Sequence, residues 1–222
     1  PLKGKNFTSA SGPYNVAVGY SADRSVTTGT DNILIGVRAG DALTDADENV
    51  ALGYAALSTD TVGSKSTAIG FAALNAQNFT SATDTYNTAV GAEAGNDITT
   101  GVNNTLIGGL AGDAITDADA NTAIGAYSLS ADTLGSQSVA VGHGTLTHQN
   151  FTTATNSNNT AVGYVAGNLI TTGAGNTIVG SLAGDAITTS PNNTLVGISA
   201  GGALGNSFGG NIAIGYQALD AD

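Results

Sequence analysis

The fold of this chain follows from a stretch such as residues 87–108, NTAVGAEAGNDITTGVNNTLIG. The stretch opens on the pentapeptide NTAVG and closes on its variant NTLIG, which starts 17 residues later. The pentapeptide occurs twelve times among the 222 residues, starting at positions 15, 32, 49, 66, 87, 104, 121, 138, 159, 176, 193 and 211. A fixed period of this kind predicts a repeat architecture in which each repeat is one structural unit.

The repeats are grouped into blocks of 72 residues. Three spacings of 17 residues are followed by one of 21, and the series then starts again. The chain therefore divides into an N-terminal segment 1–14, the tail of an incomplete coil with an expected inter-subunit role, and three solenoid blocks, 15–86, 87–158 and 159–222, the last with a truncated final coil.

The period selects the fold class. Seventeen residues are too few for a helix–turn–helix repeat, which needs more than about 30, but they suit one coil of a solenoid. Thr, Val and Ile favour strands, while Gly, Asn and Asp favour turns. We therefore predict an all-β fold, a parallel β-solenoid or β-roll of about twelve 17-residue coils with a 21-residue coil at every fourth turn.

Within a coil, residues are numbered here from the first residue of the pentapeptide. Positions 2 and 4 point to one side of a strand and positions 1 and 3 to the other. Both sides are largely apolar, so one fills the coil and the other needs a second cover, such as another subunit. Position 12 is often apolar, as at Ile98, which predicts a second strand in each coil; the apolar residue moves to position 14 at Val62 and Leu134. Asn at position 1 in ten of twelve coils predicts an amide ladder.

Composition excludes several function classes. The chain carries 17 acidic and 5 basic residues, a formal charge of −12, and this balance disfavours a nucleic-acid-binding surface. It has no Cys, and no apolar run reaches the length of a membrane-spanning helix. Its two His residues, His143 and His148, do not recur in the other blocks, and no catalytic residues are predicted. The chain is therefore expected not to be an enzyme.

The triplet Asn-Phe-Thr recurs in the longer coils. It fits the acceptor pattern for N-linked glycans and falls in the insertion, which we expect to form a loop. Two interpretations remain open: the Phe anchors the loop against the rod, or the loop carries a glycan or binds a ligand. The residues concerned are Asn6, Asn78, Asn150, Phe7, Phe79 and Phe151.

Two acidic clusters resemble the start of a calcium-binding loop. Asp45 and Asp47 precede Asn49, and Asp117 and Asp119 precede Asn121, but the Gly and Glu of a complete loop are missing. The clusters thus give a Ca²⁺ site at the solenoid edge or an acidic rim that keeps the rod soluble. No other cofactor or metal is predicted.

The repeat unit also resembles known families. NIAIGYQAL, residues 211–219, is similar to the NTAIGYQAL-type repeats of phage tail fibres and bacterial surface fibres, and to the head repeats of trimeric autotransporter adhesins. The resemblance covers residues 15–222. It implies a shaft or binding surface without catalytic residues. The adhesin heads are left-handed parallel β-rolls wound as trimers, usually with 14-residue coils, so trimerisation is implied here only by that resemblance.

The two ends of the sequence complement each other. The last pentapeptide opens a coil that stops after twelve residues, and residues 1–14 match the later part of a 21-residue coil, so that the two ends overlap. This predicts a homopolymer in which copies join head to tail, with basic residues at one end and acidic residues at the other. The residues concerned are Pro1, Leu2, Lys3, Lys5, Asn211, Leu219, Asp220 and Asp222.

The expected role is therefore a structural subunit of an extracellular or virion fibre. The alternative is an adhesin or tail-fibre shaft segment that works as a lateral homotrimer and binds a receptor or surface glycan.

Overall fold

The computed structural model describes residues 14–205 and 208–220, and these residues form an all-β solenoid of twelve coils without a helix. One parallel sheet of twelve strands runs along it, which confirms the predicted fold class. Its strands are β1 (Val16–Val18), β2 (Ile33–Ile35), β3 (Val50–Leu52), β5 (Thr67–Ile69), β7 (Thr88–Val90), β8 (Thr105–Ile107), β9 (Thr122–Ile124), β11 (Val139–Val141), β13 (Thr160–Val162), β14 (Thr177–Val179), β15 (Thr194–Val196) and β16 (Ile212–Ile214).

Every strand of this sheet pairs in the same register. Thr88 of β7 lies beside Thr105 of β8, and Val90 lies beside Ile107. The 21-residue coils keep this register, because Thr67 of β5 pairs with Thr88, so their extra residues are accommodated elsewhere in the coil. Coils are numbered 1 to 12 from the N-terminus, and at about 4.8 Å per strand they form a rod of about 58 Å.

The second strand predicted around position 12 is wrong. Outside the main sheet the described residues contain only four two-residue strands, in two pairs: β4 (Gly63–Ser64) with β6 (Thr83–Asp84), and β10 (Gly135–Ser136) with β12 (Thr155–Asn156). Ile98, at position 12, instead closes a turn, since its N–H donates to Gly95 O at 3.2 Å. Its side chain is fully buried, so the apolar residue at position 12 marks a corner of the core and not a strand.

Core side chains come from positions 3, 8, 9 and 12, with Ala at most of the position-8 sites. Leu106, Ile115 and Leu129 have no exposed surface. Where position 9 is Gly, position 12 is apolar, because side chains at both positions would occupy the same corner of the core. A Cβ on Gly112 would lie 2.9 Å from Ile115 Cδ1. Coils 3 and 7 reverse the arrangement, with Leu at position 9 and a buried Asp60 or Asp132 at position 12.

The predicted ladder of Asn side chains is present, and its amides also form hydrogen bonds with backbone groups. Asn104 Oδ1 accepts the backbone N–H of Asn121 in the next coil at 3.0 Å. Asn104 Nδ2 donates to Ala118 O at 2.9 Å, which closes its own coil. Asn104 N in turn donates to Asn87 Oδ1 at 2.9 Å. Because these amides are buried, each one satisfies backbone groups that water cannot reach.

The turns rely on left-handed backbone conformations. Positions 5, 7 and 9 and the last position of a coil have positive φ, including non-glycine residues such as Arg38 and Leu57. Gly at position 5 is required for two reasons: Gly108 has a φ of 137°, and a Cβ there would lie 2.6 Å from the carbonyl carbon of Gly125 in the next coil. The glycine column thus lets successive coils approach closely.

Candidate interaction surface

The outer side of the twelve-strand sheet carries aliphatic and Thr side chains that no other part of the described chain covers. Position 3 points inward, and positions 2 and 4 point outward, so the strand of coil 3 has a buried Ala51 between a half-buried Val50 and an exposed Leu52. The residues at positions 2 and 4 are all Thr, Val, Ile or Leu, and none of them is fully buried. The structure therefore assigns the second apolar side, which the sequence left without a partner, to the surface.

This surface carries no formal charge. Positions 2, 4 and 6 of all twelve coils contain no Asp, Glu, Lys or Arg, although the chain as a whole has a net charge of −12. We call these three columns the outer face. Because like charges resist the approach of two copies of an acidic chain, an uncharged face favours self-association.

Position 6 forms an exposed column rich in aromatic residues. Tyr54 and Phe71 stack with ring centroids 5.5 Å apart, and His143 stacks on Tyr164 at 5.7 Å. Tyr127, at position 7, meets His143 edge to face at 5.8 Å. Such ring pairs stabilise a surface by about 0.5–1.5 kcal/mol beyond burial, and they hold the exposed rings in fixed positions.

A shallow groove interrupts this column in coils 5 to 7. There position 6 is occupied by Ala92, Gly109 and Ala126, and the groove is an open depression of about 230 Å³ walled by the position-7 residues Glu93, Leu110 and Tyr127. Phe71 and His143 stand in the adjacent coils at its two ends. Sequence reasoning missed the groove, and its signal was the change from large to small residues down position 6.

The loops of the 21-residue coils are fixed by a buried carboxylate. Asp132 Oδ1 accepts the N–H groups of Gly135 at 3.0 Å and Phe151 at 3.1 Å, and Asp132 Oδ2 accepts from Gln149. Phe151 is 6% exposed, whereas Asn150 is exposed.

Asp60, Gln77 and Phe79 repeat this arrangement with 3.1 Å contacts to Asp60 Oδ1, Phe79 is equally buried, and Asn78 is exposed. Asn6 and Phe7 lie outside the described residues. The Asp–Gln network was not foreseen from the sequence; its signal was a polar residue at a position that is otherwise apolar.

The acidic clusters are paired with donors of the preceding coil. Asp47 Oδ1 accepts the Thr30 N–H at 2.6 Å, and Asp119 Oδ1 accepts the Val102 N–H at 2.8 Å. Asp45 accepts from the Thr28 hydroxyl and Asp117 from the Thr100 hydroxyl. Residues 14–205 and 208–220 contain no group of three or more His, Cys, Asp or Glu side chains that could hold a metal ion.

Position 10 is Asp or Asn in seven of the twelve coils. Burial raises the pKa of Asp113, and the carboxylates of Asp97 and Glu93 raise it further. Asp113 Oδ1 is buried without a hydrogen-bond partner. Burial likewise raises the pKa of Asp185, with Asp220 adding to the effect. These carboxylates are therefore held in surroundings that disfavour their charge.

The predicted inter-subunit residues are described only in part. Asn211 donates to Asn193 Oδ1 through both its backbone N–H, at 3.0 Å, and its side chain, at 2.8 Å. Leu219 is half exposed, and Asp220 N donates to Gln217 O at 3.1 Å. The other predicted residues, Pro1, Leu2, Lys3, Lys5 and Asp222, lie outside the described residues.

No protein-family model matches the chain, and neither a curated protein nor a solved structure shows significant similarity to it. In the part of the chain that the structure describes, no helix is long and apolar enough to cross a membrane.

Proposed function

We propose that the chain is a structural subunit of an extracellular or virion fibre in which copies join end to end along the solenoid axis. The observation that carries the proposal is the uniform contact between coils. Each described pentapeptide strand pairs with the next in one register, and Asn side chains link successive coils with the same hydrogen bonds. A coil of a second copy would meet the same donors, acceptors and apolar corner as a coil of the same chain.

A second copy that adds its coil to the end of the sheet pairs with backbone groups that the edge strand leaves unpaired. Contacts that repeat without closing produce filaments. An elongated form of twelve coils in one sheet suits a shaft. The resemblance to fibre repeats supports the same role and an extracellular or virion location.

Electron microscopy of the negatively stained, purified chain tests this proposal. The expected result is filaments with an axial repeat of about 58–62 Å, the length of twelve to thirteen coils. A chain that lacks residues 1–14 is the control, and it should remain folded by circular dichroism but should not form filaments. Isolated rods at all concentrations, or normal filaments from the shortened chain, would contradict end-to-end joining through those residues.

The second candidate is an adhesin or tail-fibre shaft segment that works as a lateral homotrimer and presents a receptor- or glycan-binding surface. The uncharged outer face favours this candidate, since an apolar face of this extent is typical of an interaction surface. Light scattering coupled to size-exclusion chromatography distinguishes the two candidates. A discrete particle with three times the 21.6 kDa chain mass supports the trimer, and open-ended polymers support the fibre subunit.

A further inference from the structure

We infer that a second copy of this chain packs antiparallel against the outer face, with the bulky position-6 residues of coils 3 and 4 seated in the groove of coils 5 to 7. The inference deepens the proposed structural role and rests on it, because it names the lateral partner of the rod and the register in which the two lie.

Geometry restricts how two such faces can meet. A two-fold axis parallel to the strands keeps position 6 opposite position 6 and reverses the direction of one rod. A two-fold axis parallel to the rod instead places position 6 opposite position 2. Only the antiparallel arrangement therefore brings the groove of one copy onto the aromatic column of the other.

The sizes of the position-6 residues select one register. With the axis between coils 4 and 5, Phe71 of one copy faces Ala92 of the other, and Tyr54 faces Gly109. Tyr54 is 50% exposed and Phe71 52% exposed, and both face the small residues that line the groove. The contact is reciprocal, as in an isologous dimer, so each copy contributes both the rings and the groove.

Two of the three neighbouring pairs also place a larger residue opposite a smaller one. In this register Val37 faces Ala126, and Tyr20 faces His143 as an aromatic pair. At position 7, Ala55 faces Leu110, which again places a small residue opposite a large one.

The charged residues at position 7 meet no like charge in this register. Arg38 faces the Tyr127 ring, an arrangement that favours a cation–π contact, and Glu93 faces Ala72. No acidic residue meets another at positions 2, 4, 6 or 7 of the paired coils 1 to 8.

The contact area is sufficient for a specific pair. Eight coils cover about 38 Å of rod, and positions 2 to 6 span about 13 Å. The pair then buries on the order of 1,000 Å² in total, at the lower limit of specific interfaces. Because positions 2 to 6 carry no formal charge, and only Arg38 and Glu93 lie at the edge of the contact at position 7, we expect a reversible dimer whose affinity changes little as salt is raised.

Cross-linking tests the register directly, since the chain has no cysteine of its own. Phe71→Cys and Ala92→Cys chains are mixed and treated with a short bis-maleimide, and the expected product is a covalent heterodimer. The matched control mixes Ala92→Cys with Ser181→Cys, which lies in the same column but faces no partner residue in this register, and it should give no covalent product between the two different chains. A product between Ala92→Cys and Tyr216→Cys in place of the expected one would overturn the register.

A size-exchange experiment tests the groove. A Cβ on Gly109 would meet only Ala92 O, at 3.9 Å, and the residue has no positive φ, so Gly109→Tyr should fold. Filling the groove should weaken dimerisation, measured by sedimentation velocity, by about tenfold or more. Exchange of both partners, Tyr54→Gly with Gly109→Tyr, should restore most of the affinity, while Ser181→Tyr should leave it unchanged.

The outcomes separate this inference from the proposed function. Filaments without the Phe71–Ala92 product, or an affinity unaffected by Gly109→Tyr, would overturn the antiparallel pair and leave the fibre proposal standing. A cross-linked pair without filaments would overturn end-to-end assembly and leave the pair standing. A wild-type chain that stays monomeric at its highest soluble concentration, or that forms an in-register trimer, would also overturn the pair.

Discussion

Gly108 and Gly109 are neighbours in the chain, but only the first holds a conformation that other residues avoid. Gly108 has positive φ and lies against Gly125 of the next coil, whereas a Cβ on Gly109 would have ample space. We expect Gly108→Ala to lower the free energy of unfolding by about 2–4 kcal/mol through strain and overpacking. Gly109→Ala should change it by less than about 0.5 kcal/mol. Urea titration of both variants checks the difference, and equal losses would mean that the close approach of coils is not what selects glycine.

The partly buried Asp113 carboxyl should make stability depend on pH. Its pKa is raised in the folded chain, so the carboxyl does not affect stability at low pH, where it is protonated in both states, and stability falls as the pH rises from the ordinary Asp pKa through the raised one. Asp113→Asn should therefore raise the melting temperature at pH 7 by about 1–3 °C. The gain should disappear below about pH 3, where the wild-type carboxyl is protonated in both states.

Asn is a suitable replacement at this position, because Asn96 and Asn168 occupy it in other coils. Asp31→Asn, at an exposed site, is the control for the lost charge, and it should give no comparable gain at pH 7. A gain for Asp113→Asn that persisted at pH 3 would show that charge burial is not its cause.

At the scale of the structural element, Asp132 holds the loop of the 21-residue coil. Removal of its carboxylate leaves the N–H groups of Gly135 and Phe151 and the amide of Gln149 without their acceptor. We expect Asp132→Ala to lower the free energy of unfolding by about 3 kcal/mol. The exposed Asp117→Ala should cost less than about 1 kcal/mol.

Hydrogen exchange gives an independent measurement of the same variant. Protection should fall first at Phe151 and its neighbours if the carboxylate anchors the loop. Unchanged protection there, with stability reduced elsewhere, would contradict that role.

The strands and the amide ladder could be predicted from sequence because their causes lie within the pentapeptide. Alternation at positions 1 to 4 sets the sheet, and a recurring Asn stacks whenever coils stack. The prediction of a second strand was wrong because the apolar character of Ile98 indicates that its side chain is buried but does not indicate that its backbone is extended. Ile98 lies at a turn, and the turns of this fold use residues in the left-handed conformation, such as Arg38 and Leu57. The side chains of these residues do not indicate that conformation.

The candidate surface was foreseeable only in outline. The alternation showed that two apolar sides existed but not which one faces the interior, since Ala at position 3 and Val at position 4 are both compatible with a core. The groove required the position-6 residues of coils 5 to 7 to be recognised as neighbours. Asp132 stood out only as a polar residue at an apolar position, and its partners became known from the structure.

At the scale of the whole molecule, the 72-residue block should be removable. Deletion of residues 87–158 brings Asn159 into the place of Asn87, with the same pentapeptide after it, so every coil contact can reform. We expect a folded rod shortened by about 19 Å, measured as the maximum dimension in small-angle X-ray scattering. The antiparallel pair should be lost because its groove is removed. An unfolded product would contradict the view that each block contacts only its neighbours.

The amide ladder gives the rod an electrical direction. In a parallel sheet, the backbone dipoles of successive residues alternate and nearly cancel, but Asn87 and Asn104 both turn their Oδ1 atoms toward the higher-numbered coil. Their dipoles therefore add along the axis, as peptide dipoles do in a helix. A ladder of this kind is partially positive toward coil 1 and partially negative toward coil 12. Two antiparallel rods set their opposing fields side by side, while rods joined end to end meet with unlike poles in contact.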